Sequence, residues 1–69
     1  MSKTLDFKIF CLVAYKTKHR LSGEQAFDLF KTYNVFKYLE SCYDVLHTLG
    51  VDYLVEDIDK FISAHKITA

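Results

Sequence analysis

Glu40, Asp44 and His47 stand at positions i, i+4 and i+7 of a helical stretch, so that one helix face would carry two carboxylates and an imidazole. Such a set binds a divalent cation or works as an acid and base pair. The spacing completes no metal signature, since neither a His-x-x-x-His pair nor a carboxylate-rich run accompanies it. Glu, Asp and His in a stripe are also the ordinary dress of a solvent-facing helix. The expected role of the three is therefore a solvated face, with His47 used for a helix cap or an inter-helix hydrogen bond.

Other nucleophile and ligand options fail on spacing. Cys42 and His47 are five residues apart, which turns them about 140° away from each other and excludes a Cys–His pair within one helix. Cys11 and Cys42 lie in apolar stripes and are expected to be buried, reduced thiols. Gly23 and Gly50 are isolated, so no glycine-rich phosphate cradle is present. His19, His47 and His65 fall on separate elements and give no zinc spacing. The expectation is a chain with no catalytic residues, no metal, no cofactor and no small-molecule substrate.

The elements that would carry these residues follow from punctuation and periodicity. The 69 residues contain no Pro and two Gly, which disfavours hairpins and favours helices joined by short turns. An all-α bundle of four helices is predicted, at about 4–18, 23–33, 35–49 and 53–65, within a single domain 1–69. Ser2 or Thr4 is the candidate cap of the first helix, and its basic end suits the helix dipole. Ser22 and Gln25 form a capping box for the second, whose stripe is Ala26, Leu29, Phe30 and Tyr33. Asn34 ends the second helix in the left-handed conformation and caps the third. Val35, Leu39, Cys42, Leu46 and Leu49 form the core stripe of that third helix, with Gly50 as its stop. Leu54, Ile58, Phe61, Ile62 and His65 give the fourth its core face, with His65 partly buried and Asp52 a candidate cap. Residues 51–55 alternate enough to be extended instead.

Charge is balanced overall but not along the chain. Residues 1–37 hold seven Lys/Arg against three Asp/Glu (+4), and residues 38–69 hold two against six (−4). Such polarity steers a charged partner or pairs copies head to tail, although solvated helix faces produce it too. Lys16, Lys18 and Arg20 form a candidate phosphate-contacting patch for a DNA-associated regulator, the alternative reading. Against it, the would-be recognition helix exposes two carboxylates and no Arg to read a guanine edge. The first apolar run is broken by Asp6 and Lys8 and reads neither as a signal peptide nor as a membrane span, so a cytoplasmic protein is expected.

Aromatic surplus is the informative feature. Hydrophobic residues make up 51% of the chain, including six Phe and five Tyr, a large supply for a domain whose core is limited by size. Helix one is apolar nearly all round: Leu5, Ile9, Leu12 and Val13 on one side, Phe7, Phe10, Cys11, Ala14 and Tyr15 on the other. Such a helix is either the central element of the bundle or covered by a second copy. Phe7, Phe10, Tyr15, Phe36, Tyr38, Tyr43 and Tyr53 are the candidate interface residues.

Leu21-Ser22-Gly23, Phe27, Leu29-Phe30, Tyr43-Asp44-Val45-Leu46-His47-Thr48 with Gly50, and Tyr53-Leu54-Val55-Glu56-Asp57-Ile58 together resemble the small bacterial family called domain of unknown function 3791. The likeness spans almost the whole chain. It implies no activity for particular residues. Through neighbouring genes that resemble toxin components, some with an ADP-ribosyltransferase-like look, it implies an antitoxin-like pairing. The expected function is a protein-interaction module, homodimeric through helix one.

Overall fold

The computed structural model describes residues 3–67, and among these the regular elements are all helices: α1 Lys3–His19, α2 Gly23–Thr32, α3 Val35–Ser41, α4 Tyr43–Leu46 and α5 Val51–Ile67. The predicted all-α bundle is present, with its third helix divided. The radius of gyration, 11.2 Å, is close to the roughly 11 Å of a compact chain of this length.

α1 is the central helix and packs against α2, α3 and α5. The residue Ser2 lies outside the described residues, and Thr4 is already inside α1 rather than capping it. The helix ends in a Schellman turn: the Leu21 N–H donates to the Lys16 carbonyl at 2.9 Å and the Arg20 N–H to the Thr17 carbonyl at 3.4 Å. Arg20 therefore takes the left-handed conformation, φ 54°, at a position where glycine is preferred.

α2 begins as its sequence requires. The Ser22 hydroxyl accepts from the Gln25 N–H at 3.1 Å, and the Gln25 amide oxygen accepts from the Ser22 N–H at 3.0 Å. Asn34 closes α2 with φ 56° and ψ 35°, as expected, but its side chain caps nothing; the tight turn rests on backbone geometry alone.

The predicted third helix is broken at Cys42, whose φ of −108° and ψ of 19° leave the helical range. Beyond the break, Leu46 is buried and the Tyr43 ring meets Phe7 of α1 edge-on at 5.3 Å, contacts that pull the short α4 toward α1. α4 closes early because Thr48 Oγ1 donates to the Val45 carbonyl at 2.7 Å and the His47 ring occupies the Tyr43 carbonyl. Gly50 is accordingly not a helix stop and has no positive φ. Its carbonyl accepts the Leu54 N–H at 2.9 Å and opens α5. Residues 51–55 are thus helical, which buries Leu54 and Val55 side by side; an alternating strand would have put them on opposite faces. Asp52 sits inside the first turn of α5 rather than at its cap.

The core is built from all the longer elements. Cys11 and Tyr15 of α1, Phe30 of α2, Val35 and Leu39 of α3, Leu46, and Leu54, Val55, Ile58 and Ile62 of α5 form one buried cluster. Some expected core positions lie further out: Leu49 is exposed, His65, expected to be partly buried, is exposed against the Phe61 ring, and Leu29, Tyr33, Cys42 and Phe61 are half-buried against the core.

Candidate functional site

The inner and outer faces of α1 divide cleanly. Inward, Tyr15 meets the Phe30 ring at 5.3 Å, and Cys11 is fully enclosed. Burial pushes the Cys11 thiol up to about 12, so it stays protonated and unreactive. Burial, helped by a hydrogen bond to Asp59, also pushes Tyr15 up to about 12. Outward, Leu5, Ile9, Phe10 and Val13 each leave about half of their surface in water, as does Phe27 of the neighbouring α2.

Between these helices runs an open groove of about 400 Å³, lined by Leu5, Ile9, Leu12, Phe27 and Phe36 with Lys8 at its edge. Its floor is aromatic. Phe36 touches Phe27 at 5.6 Å and Phe30 at 5.4 Å, so the groove rests directly on the core. Lys8 is held to one side by Glu40 at 2.7 Å, and that ammonium keeps the Glu40 carboxyl below its ordinary range.

Of the seven candidate interface residues, Phe10 and Tyr53 are exposed. Tyr15 is a core residue, a correction that follows from its contact with Phe30, which the helical pattern of α1 alone does not reveal. The remaining four are half-buried and already engaged. Phe7 meets Tyr43, and Phe36 lies under the groove. Tyr38 stacks on Phe61 at 4.1 Å and donates to Asp57, and Tyr43 stacks on His47 at 4.6 Å. Leu5, Ile9, Val13 and Phe27 belong to the exposed surface in addition; the double apolar face of α1 is the sequence signal that points to the first three.

The polar cluster is not brought together. The break at Cys42 puts Glu40 on α3 and Asp44 on α4; Glu40 is paired with Lys8, and the His47 ring caps the Tyr43 carbonyl at 2.6 Å. Among the described residues, no group of three or more His, Cys, Asp and Glu side chains could hold a metal ion.

In the basic patch, Lys18 is 3.5 Å from Asp52 of α5, Lys16 is half-buried, and Arg20 occupies the helix terminus. With Lys8–Glu40 and a His19–Asp59 contact of 3.0 Å, three pairs join the basic first half of the chain to its acidic second half. Part of the charge asymmetry is thus used within the molecule. Among the described residues, no helix is long and apolar enough to cross a membrane.

The profile of a family described as "Protein of unknown function (DUF3791)" matches residues 6–65. No curated protein and no solved structure matches the chain.

Proposed function

The chain belongs to that family of unknown function, and from the structure we propose that it is a small bacterial, cytoplasmic protein-interaction module without catalytic activity, self-associating through the outer face of α1. The observation that carries this reading is the exposed apolar side chains Leu5, Ile9, Phe10 and Val13 of α1 with Phe27 of α2, of which Leu5, Ile9 and Phe27 line a groove that rests on the core. Half-exposed side chains of this size leave roughly 400–500 Å² of apolar surface, within the range of the largest, often functional, patch on a monomer. A standard interface takes about 800 Å² per partner, so this surface with its rim is large enough for a second copy. Burying it is favourable at about 25 cal/mol per Å², before the cost of association.

The antitoxin-like role fits the same picture: a dimer that binds another protein does its work by occupation and needs no reacting group. Two measurements test the proposal. Sizing of the chain at micromolar concentration should give a dimer, and a monomer throughout would remove self-association. Co-expression with the product of the adjacent gene should give a complex that survives purification; two proteins that separate would remove the antitoxin-like role.

A further inference from the structure

The outer face of α1 carries charge as well as apolar surface, in a definite order. Asp6, Ile9, Val13 and Lys16 follow one another at spacings of 3, 4 and 3 residues, which sets all four within about 80° of arc on the helix. Asp6, Ile9 and Val13 are exposed and Lys16 is half-buried. Leu5 and Phe10, each about half in water, flank this stripe on either side. Among the described residues, Lys8, Lys18 and His19 of α1 are paired with Glu40, Asp52 and Asp59, and Asp6 and Lys16 take part in none of these pairs.

Read from either end, the stripe is a charge, two branched apolar residues and the opposite charge, at the same spacing. A reversed copy laid against it meets acid with base at both ends and Ile with Val in both middle layers. That is the condition for an isologous contact, in which one patch serves both partners about a two-fold axis. A foreign helix gains nothing from the match of the stripe to its own reverse, and that match singles out a second copy.

We propose that two copies of this chain pair through α1 in antiparallel orientation, with Ile9 of each packed against Val13 of the other and Asp6 of each facing Lys16 of the other. The proposal rests on the reading of the outer face of α1 as a self-association surface, and adds its orientation and register. Asp6 precedes Ile9 by as many residues as Lys16 follows Val13, about 4.5 Å of rise, so the two charge layers bracket the apolar ones symmetrically. A parallel pair is unfavourable on three counts. It stacks Asp6 on Asp6 and Lys16 on Lys16, like charges in one layer. It brings together two basic ends, each with Lys16, Lys18 and Arg20, that the antiparallel pair holds about 20 Å apart along the axis. It also sets the two helix dipoles side by side in the same sense.

Cysteine cross-linking reads the orientation. In a Cys42→Ser background, which leaves the enclosed Cys11 as the remaining natural thiol, Ile9→Cys and a tagged Val13→Cys chain are mixed, equilibrated and oxidised. The disulfide between positions 9 and 13 should dominate, because like positions are offset by four residues, about 6 Å of rise, which takes them out of disulfide reach. Asp6→Lys alone and Lys16→Glu alone should each raise the dimer dissociation constant about tenfold or more. Both changes in one chain should recover most of that loss, since opposite charges then face each other again. Should a charge variant lose helicity by circular dichroism, the cross-link alone decides. A dimer in which the 9–9 disulfide dominates or the 9–13 disulfide is absent, or a folded double reversal as weak as the single ones, would overturn the orientation and leave self-association standing. A wild-type monomer in sizing would remove both.

Discussion

Cys11 and Tyr15 on one side of α1, and Leu5, Ile9 and Val13 on the other, are comparably apolar and meet opposite fates. The first two are enclosed, the last three about half in water. What separates them is company: Phe30 and the α5 face close over the inner side, and among the described residues Phe27 and Phe36 flank the outer one without enclosing it. A domain this small has too few elements to wrap a central helix completely. Apolarity therefore says that a helix face needs cover, while only the packing says whether the chain itself supplies it.

Substitutions that differ only in face should break or sharpen this contrast. Phe30→Ala, at a fully buried ring between Tyr15 and Phe36, should cost about 3–5 kcal/mol in urea unfolding, enough to leave the chain largely unfolded. Ile9→Ala on the outer face should cost less than about 1 kcal/mol at concentrations where the chain is monomeric. Similar losses at the two positions would mean that the outer face is not free.

The inner face also predicts an alkaline limit to stability. Cys11 moves from 9.0 to about 12 and Tyr15 from 10.0 to about 12, both chiefly through burial. Each folded-state value lies above the unfolded one, so the native state keeps protons that the unfolded chain releases. The contribution is complete below pH 9 and is lost as pH rises from about 9 to 12. Unfolding measured at pH 8, 10 and 11 should show the decline, and Cys11→Ala should make its onset later. A flat profile over that range would place both groups in water.

A smaller effect is expected at the end of the same helix. Arg20 holds a left-handed conformation that glycine adopts without steric cost, so Arg20→Gly should gain up to about 1 kcal/mol in thermal or urea unfolding. A loss would show that the Arg20 side chain contributes more than its backbone strain removes.

Legibility in the sequence follows how local the cause is. The start of α2 is readable because Ser22 and Gln25 bond each other across one turn, and the burial of Ala26 and Phe30 follows from the same periodicity. The left-handed Asn34 is readable because Asn tolerates that conformation; the left-handed Arg20 is not, since Arg carries no such preference and the Schellman bonds impose it. The break at Cys42 has no Gly or Pro to announce it, and one of the contacts that accompany it is with Phe7, far away in the chain. That one break also explains why Leu49, which continues the core stripe in an unbroken helix, is exposed. The doubled apolar face of α1 is plain in the sequence. Which half stays open depends on where α2 and α5 dock, as the burial of Tyr15 shows.

The central claim, that the outer face of α1 is an interface, is tested most directly by sedimentation equilibrium of the wild-type chain beside Ile9→Glu. A wild-type dimer at micromolar concentration and an Ile9→Glu monomer of unchanged helicity are the predicted result. A wild-type monomer, or a dimer that Ile9→Glu leaves intact, would contradict it.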